Sequence, residues 1–207
     1  MKCFKFTLLE LLMVIAIIMI LASILLPALK NAKGSAQGIQ CSSNLRQLVN
    51  AHLQYVETFN GWLPLARKST VGIGVQGSGY HWYKNPYVLE AINEKDTQWT
   101  GIKYCPSTTP ECWAALKASF VYTSYARNIY LGDINGVEWR KIINFKSPSQ
   151  TSCVMDGTNI VITSIHPPEY RHRNGLQVGY LDGHAGWYKF AIPNILTDNT
   201  DPFWGNY

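Results

Sequence analysis

Charged residues are scarce in this chain, and they do not cluster. Only 15% of its 207 residues are charged, and its 18 Lys and Arg residues are scattered without a basic run. A protein that follows a phosphate backbone needs clustered cations, so we expect no nucleic-acid partner despite the net charge of +5. No glutamate-rich helix offers the general base that metal catalysis requires. We therefore do not expect an enzyme.

Apolar residues, in contrast, are concentrated near the N-terminus. Residues 6–29 read FTLLELLMVIAIIMILASILLPAL, and as a helix they would span about 36 Å, against about 30 Å for the core of a bilayer. Lys2 and Lys5 precede this segment, which favours a cytoplasmic N-terminus and a head outside the cytoplasm, although Lys30 and Lys33 follow it. The sequence predicts a single-pass protein of the inner (cytoplasmic) membrane.

Two residues within this segment require an explanation. Pro27 lacks a backbone donor, so it should kink or loosen the helix, or else end it at the membrane edge. Glu10 is the only charged residue in the segment, and a carboxylate at membrane depth is costly unless it has a partner or a role. A cleaved signal peptide would have a shorter apolar core, and a plain membrane anchor leaves Glu10 unexplained.

The stretch Lys5-Phe6-Thr7-Leu8-Leu9-Glu10-Leu11 resembles the processing site of type IV prepilins and type II secretion pseudopilins. The resemblance implies that residues 1–5 are a leader, that a prepilin peptidase cuts between Lys5 and Phe6, and that Phe6 is then N-methylated. It also implies that Glu10 faces the N-terminal amine of a neighbouring subunit during assembly. Those proteins usually have glycine immediately before the cut, where this chain has Lys5.

Residues 30–60 are expected to form a neck and an amphipathic helix. Gly34 and Gly38 predict flexibility at the join, and Asn60-Gly61 should end the helix. One face of this helix is apolar because suitable residues recur at steps of three and four: Cys41, Leu45, Leu48, His52, Tyr55 and Phe59. His52 is expected to be a packed core residue rather than a ligand.

Residues 61–207 are predicted to form a β-rich head outside the cytoplasm. Aromatic and β-branched residues bounded by turn residues indicate short strands. The candidate strands are Trp82–Val88, Ser119–Ile129, Thr151–Asp156, Gly175–Leu181 and Ala185–Phe190. Since the apolar helix face needs a cover, we predict an α+β fold in which a long N-terminal transmembrane helix packs by its C-terminal half on an antiparallel sheet. That arrangement is pilin-like.

The cysteines leave several pairings open. Cys41, Cys105, Cys112 and Cys153 follow the membrane segment, and four cysteines allow three complete pairings. Cys105 is expected to pair with Cys41 or with Cys112, and a Cys41–Cys105 disulfide would staple the helix to the sheet, a stabilisation of about 2–4 kcal/mol. A nucleophilic Cys105 would need a histidine beside it, and nothing in the sequence places one there.

A hairpin is predicted near the C-terminus. Asp182-Gly183 between strand-like residues indicates a two-residue turn with positive φ at both positions. The spacing from His172 resembles the H-x9-DG signature of a large group of prepilin-processed bacterial proteins. Two further motifs fit the same group: Cys41-x-x-Asn44-Leu45-Arg46-Gln47 and Cys105-Pro106-Ser107. The resemblance implies a class of protein rather than an activity.

The histidines near this hairpin raise the question of a metal. His172, Asp182 and His184 have the donor types that a divalent ion takes, and a metal-dependent hydrolase would have to use them. Structural roles explain the same residues without an ion. Asp182 belongs to the turn, His184 begins a strand, and His172 would tie its loop to the hairpin by a hydrogen bond. We expect no cofactor.

These observations predict a structural subunit of a type II secretion or type IV pilus-like assembly. Its partners would be the membrane, a prepilin peptidase, and other pilin-like subunits or copies of itself, and its final location would be the membrane or an extracellular filament. The alternative is a membrane-anchored binding module of the cell surface. The 7 Trp and 12 Tyr residues would then provide a surface for carbohydrate or protein.

Overall fold

The structure is a computed structural model. It describes residues 7–66, 81–94, 101–109, 123–132, 140–157, 161–162, 168–189 and 201–205. The chain divides between Ala36 and Gln37 into two compact units, the first of which is the N-terminal part of a helix and the second the head.

Helix α1, Leu8–Thr58, is the longest element. Among the described residues it is the helix that is long and apolar enough to cross a membrane. The large apolar side chains between Leu8 and Leu29 are exposed, with exposed fractions from 41% at Ile15 to 83% at Leu8. An exposed apolar surface of this length is costly in water, so this part of the chain is suited to a membrane.

The extent of α1 tests two predictions, one about Pro27 and one about the end of the helix. The helix continues through Pro27, Gly34 and Gly38, so the alternative in which it ends at Pro27 is wrong. It ends where the sequence predicted, because Asn60 and Gly61 have φ values of 52° and 85°, which a helix cannot continue through.

Within the described ranges five strands form a single sheet in the order β3-β1-β2-β4-β5. The strands are β1 (Tyr125–Asn128), β2 (Ser152–Asp156), β3 (Val161–Ile162), β4 (Gly175–Tyr180) and β5 (Ala185–Lys189). β1, β2, β4 and β5 pair antiparallel in succession, and β3 pairs parallel with β1 at the edge. The α+β arrangement of a long helix and an antiparallel sheet is confirmed.

The predicted strands were correct in the second half of the head. Thr151–Asp156 and Gly175–Leu181 correspond to β2 and β4 with differences of one residue at an end, where assignments commonly vary. Ala185–Phe190 corresponds to β5 as far as Lys189, and Phe190 lies outside the described residues. Of the predicted strand Ser119–Ile129, β1 occupies Tyr125–Asn128, and residues 119–122 lie outside the described residues.

The predicted strand Trp82–Val88 is wrong. Trp82–Lys84 is a 3-10 turn, and helix α2 occupies Pro86–Ala91. Asn85 caps α2, since its side chain accepts a hydrogen bond from the Tyr87 amide at 3.0 Å. Proline at the first helical position and asparagine at the cap are a helix-start signal. This signal outweighs the strand preference of the surrounding aromatic residues.

The C-terminal half of α1 packs on the sheet, as predicted. Cys41, Leu45, Leu48 and Val49 are fully buried. His52 is also buried, as expected, and its Nδ1 donates to the Leu48 carbonyl at 2.7 Å. Burial lowers the pKa of His52 to about 3, so this imidazole is neutral.

The side chains of β4 alternate between the two faces of the sheet, and one of these faces lies against α1. Leu176 and Val178 point to the opposite side of the sheet, where they pack in a second core with Phe203 and Trp204. Gly179 points to the helix. A Cβ atom at Gly179 would lie 2.7 Å from Val49 Cγ2, so the absence of a side chain is what allows this approach.

The connection from β4 to β5 differs from the predicted turn. Tyr180 and His184 close the loop, since the Tyr180 amide donates to the His184 carbonyl at 2.8 Å. The Gly183 amide donates to the Tyr180 carbonyl at 3.0 Å, and Gly183 has a φ of 99° whereas Asp182 has no positive φ. The loop therefore has three residues with glycine in the left-handed position, and the predicted two-residue turn is wrong.

Replacing Gly179 with alanine should destabilise the head by about 1–3 kcal/mol, because the added methyl group would overpack the helix–strand contact. The matched control is Gly186→Ala on β5, where an added Cβ would meet no atom within 4 Å. Both changes reduce the entropy of the unfolded chain similarly. Denaturant unfolding of the full chain in detergent measures the difference. Equal stabilities for the two variants would contradict the close approach of β4 to α1.

Candidate functional site

Four side chains from distant parts of the chain meet beneath α1, and we call them the buried cluster. They are Cys41, Cys105, Asp156 and His172. Cys41 lies on α1, Cys105 follows a 3-10 turn at Gly101–Lys103, Asp156 ends β2, and His172 precedes β4. One ligand atom from each residue lies within 4.8 Å of the others, and none of the four side chains is appreciably exposed.

The contacts within the buried cluster are short. Cys41 Sγ lies 3.3 Å from Asp156 Oδ1, and Cys105 Sγ lies 3.3 Å from His172 Nε2. His172 Nε2 is 3.5 Å from Asp156 Oδ2. The two sulfur atoms lie within 4.8 Å of each other, and both cysteines are free in the structure. The two cysteines of the predicted Cys41–Cys105 disulfide are therefore close together but unbonded in this structure, and Cys112, the alternative partner of Cys105, lies outside the described residues.

Polar residues of α1 hold the Cys105 segment in place. Gln37 Nε2 donates to the Pro106 carbonyl at 3.0 Å, and Asn44 Nδ2 donates to the Tyr104 carbonyl at 3.0 Å. These two residues lie on either side of Cys41 along the helix. The Cys41-x-x-Asn44 motif and the Cys105-Pro106-Ser107 motif are therefore two sides of one contact.

Residues around the buried cluster hold its side chains in place. The backbone amide of Gln177 donates to Asp156 Oδ2 at 2.7 Å, and Arg171 Nη1 lies 3.7 Å from Asp156 Oδ1. Arg171 is itself anchored by Glu169 and by the carbonyls of Ser124 and Gly157. The Tyr125 hydroxyl donates to Cys41 Sγ at 3.3 Å.

The acid–base properties of the buried cluster are strongly perturbed. Burial raises the pKa of Asp156 to about 7 and also raises the pKa of Cys41. The hydrogen bond from Cys41 lowers the pKa of Cys105 to about 4. Burial opposes protonation of His172, but contact with Cys105 and Asp156 outweighs it and raises the pKa. These directions favour loss of the proton from Cys105 and retention of a proton on His172.

The H-x9-DG segment contains strand β4, and each end of the segment lies close to α1. Its His172 end lies at Gly38, where an added Cβ would be 3.6 Å from His172 Nδ1. At its Gly183 end, an added Cβ would lie 3.2 Å from Asn50 Oδ1, and β4 fills the interval. As expected, His172 is tied to the hairpin, because Trp187 Nε1 donates to the His172 carbonyl at 2.7 Å.

The structure separates the three residues of the alternative metal site. His184 Nδ1 and Asp182 Oδ1 are 2.6 Å apart on the surface, and the Asp182 carboxylate also accepts from the His184 amide. His172 instead belongs to the buried cluster. In the part of the chain that the structure describes, the buried cluster is the set of three or more donors grouped closely enough for an ion.

Sequence reasoning missed two features of this site. It placed no histidine beside Cys105, and that expectation is wrong, because His172 is in direct contact with it. It also overlooked Asp156. The available signal was a carboxylate that directly ends a strand of uncharged residues, which is an expensive position without partners.

At the N-terminal end, Lys5 and Phe6 lie outside the described residues, and Glu10 caps the start of α1. The Thr7 amide and Oγ1 both donate to Glu10 Oε2 at 2.8 Å, and the Glu10 amide donates to Thr7 Oγ1 at 3.3 Å. This reciprocal arrangement is a capping box. The signature of this motif is visible in the sequence as Thr7-x-x-Glu10.

A shallow pocket of about 370 Å³ opens on the head away from the buried cluster. The rings of Tyr180 and His184 stack at 4.3 Å beside it, and those of Tyr188 and Phe203 lie 5.0 Å apart. Its lining combines aromatic and polar residues: Ser149, Gln150, Tyr180, His184, Tyr188, Asp201, Pro202 and Phe203.

No protein-family model, curated protein or solved structure matches this chain. The function must therefore be argued from the residues and their geometry.

Proposed function

We propose that this chain is a structural subunit of a type II secretion or type IV pilus-like assembly, processed by a prepilin peptidase. The observation that carries the proposal is the division of α1 into two surfaces. Its N-terminal part exposes apolar side chains on all sides, whereas its C-terminal part buries one face in the head. A subunit of this kind is held in the inner membrane by one part of the helix and presents its head outside the cytoplasm.

The prepilin-like motif supports processing between Lys5 and Phe6. Removal of residues 1–5 would create a new amine on Phe6, four positions before Glu10. In a bundle of such helices, the Glu10 carboxylate of one subunit would meet the amine of another. Two charges that are otherwise unpaired in lipid attract each other strongly.

The capping box gives Glu10 a second role, within its own helix. Capping alone explains an acidic or amide residue at this position, since glutamine also serves there. Pairing with an ammonium group explains only an acid. The two roles can therefore be separated by substitution.

Processing is expected to depend on a prepilin peptidase. When the full chain is co-expressed with such an enzyme, N-terminal sequencing should find Phe6 as the first residue. Lys5→Gly should be cleaved at least as completely, because it restores the residue usual at that position. A catalytically inactive peptidase is the control. Met1 retained in every sample would contradict processing.

Glu10→Gln should lower incorporation of the subunit into its assembly by about tenfold or more. Glutamine keeps the helix cap but leaves the neighbouring amine unpaired, and breaking a buried ion pair costs about 3–5 kcal/mol. Glu10→Ala, which removes the cap as well, should be no better. The fraction of the full chain that sediments with sheared filaments or cross-linked complexes measures incorporation. Normal incorporation of the glutamine variant would show that the cap suffices.

A cell-surface binding module is the second candidate, and the aromatic pocket favours it. Sugars are commonly bound where aromatic faces adjoin polar groups, and Tyr180, Tyr188 and Phe203 adjoin Gln150 and Asp201 here. In this case the helix would serve only as an anchor.

On a glycan array, binding through this pocket should fall about tenfold or more for Tyr188→Ala in the full chain, because a central aromatic anchor contributes about 2 kcal/mol. Tyr87→Ala is the matched control, since Tyr87 is 51% exposed and does not line the pocket. No selective glycan binding, or equal loss in both variants, would remove this candidate.

A further inference from the structure

We propose that the buried cluster is a structural zinc site, in which Cys41, Cys105, Asp156 and His172 bind one Zn²⁺. The inference does not depend on the proposed function, because all four residues belong to the second compact unit, Gln37–Tyr207. It assigns a common role to motifs that the sequence presents at widely separated positions.

The donor set is one that zinc accepts. Thiolate, imidazole and carboxylate are its usual protein ligands, and structural zinc sites have four of them in a tetrahedron. Two sulfur donors with a nitrogen donor favour zinc over magnesium or calcium, which take oxygen. The ion would release two protons to solvent, one from Cys41 and one from the Cys105–His172 pair, because cysteine binds metal as a thiolate and histidine as a neutral imidazole.

The spacing of the donors also fits. Zinc–sulfur lengths of about 2.3 Å and zinc–nitrogen or zinc–oxygen lengths of about 2.0–2.2 Å put tetrahedral ligand atoms about 3.4–3.8 Å apart. The Cys41–Asp156 and Cys105–His172 contacts are both 3.3 Å, and the His172–Asp156 contact is 3.5 Å. Three of the six donor pairs are thus close to these spacings, and all four ligand atoms lie within 4.8 Å of one another. Shifts of up to about 1 Å would bring the donors to the positions of a zinc tetrahedron.

The ion would offset most of the negative charge of the buried cluster. Two thiolates, one carboxylate and Zn²⁺ leave one negative charge, and neutral His172 adds none. Arg171, at 3.7 Å from Asp156 Oδ1, offsets part of that charge, since it is also paired with Glu169 at 2.7 Å. The Tyr125 hydroxyl, at 3.3 Å from Cys41 Sγ, donates to a thiolate. Such outer partners orient the ligands and tune their basicity.

The enclosure of the site favours a structural ion over catalysis. A cysteine beside a histidine that contacts a carboxylate is also the arrangement of a thiol nucleophile and its base. A nucleophile must reach a substrate, however, and a catalytic zinc keeps an open position. Cys41, Cys105 and Asp156 are each 0% exposed, and four protein donors fill a tetrahedron.

A zinc ion here would join α1 to three segments of the head. Gly38 and Cys41 are the first buried residues of α1, so the ion would act at the end of the contact where the helix enters the head. The remaining ligands bring the Cys105 segment, the end of β2 and the start of β4 to the same point. Folding of the head would then be coupled to metal uptake.

The test uses the full chain in detergent, purified with a reductant and stripped of metal by a chelator. Addition of Zn²⁺ alone should load one ion per chain by elemental analysis and raise the unfolding temperature. Co²⁺ in place of Zn²⁺ should give the charge-transfer absorption of thiolate ligation and the visible bands of a tetrahedral site. Cys41→Ser and His172→Gln should each weaken Zn²⁺ binding by about tenfold or more, since even outer partners change affinity by about 10–100-fold.

The chain offers two matched controls. Cys153 is a buried free cysteine outside the cluster, so Cys153→Ser should bind Zn²⁺ normally. His184→Gln removes the exposed histidine of the alternative site and should also bind normally. If a ligand variant fails to fold, the Co²⁺ spectrum of the unaltered chain still decides.

Three results would overturn the proposal. The first is a reduced chain that binds no stoichiometric metal, and the second is a Co²⁺ spectrum without thiolate absorption. The third is a Cys41–Cys105 disulfide, found by non-reducing peptide mapping of the mature protein isolated from cells, because the same sulfur atoms cannot then serve as thiolate ligands.

Discussion

The close packing of the C-terminal half of α1 on strand β4 is the contact from which the rest of the head follows. Gly179 allows the two backbones to approach, since a Cβ there would lie 2.7 Å from Val49 Cγ2. Once β4 lies against the helix, its other face must be covered, and Leu176 and Val178 are buried with Trp204. The same contact fixes where each end of β4 meets α1. His172 therefore arrives beside Gly38, and the Gly183 loop arrives beside Asn50.

Periodic features of this fold could be predicted from the sequence because they depend on local spacing. The buried face of α1 follows from apolar residues at steps of three and four, and β2, β4 and β5 follow from short runs of strand-forming residues. Residues 82–88 were misassigned because aromatic content suggested a strand, whereas the cap formed by Asn85 and the proline after it started a helix. The β4–β5 loop was one residue longer than Asp-Gly suggested, because only Gly183 adopts positive φ.

The buried cluster could not be predicted because its members are brought together by tertiary contacts. Cys41 and Asp156 are 115 positions apart, yet they touch. In the sequence each motif marks a resemblance, and nothing there gives a physical reason for its spacing. The structure supplies that reason: Asn44 binds the Cys105 segment, and the interval in H-x9-DG is the length of one strand between two contacts with α1. Asp156 carried a signal that was visible in the sequence, but its partners were not.

The position of the buried cluster connects its chemistry with the proposed function. A head that is held in place through a single helix receives any pulling force through the contact between that helix and the sheet. Apolar packing resists such a force along its whole length, but separation begins at an end, where fewest contacts must break at once. Cys41 lies at the end where α1 first becomes buried, and a coordinated ion there would have to lose a ligand before the helix could peel away. An ion with four protein ligands would thus resist separation of α1 from the sheet at the end where apolar packing alone is weakest.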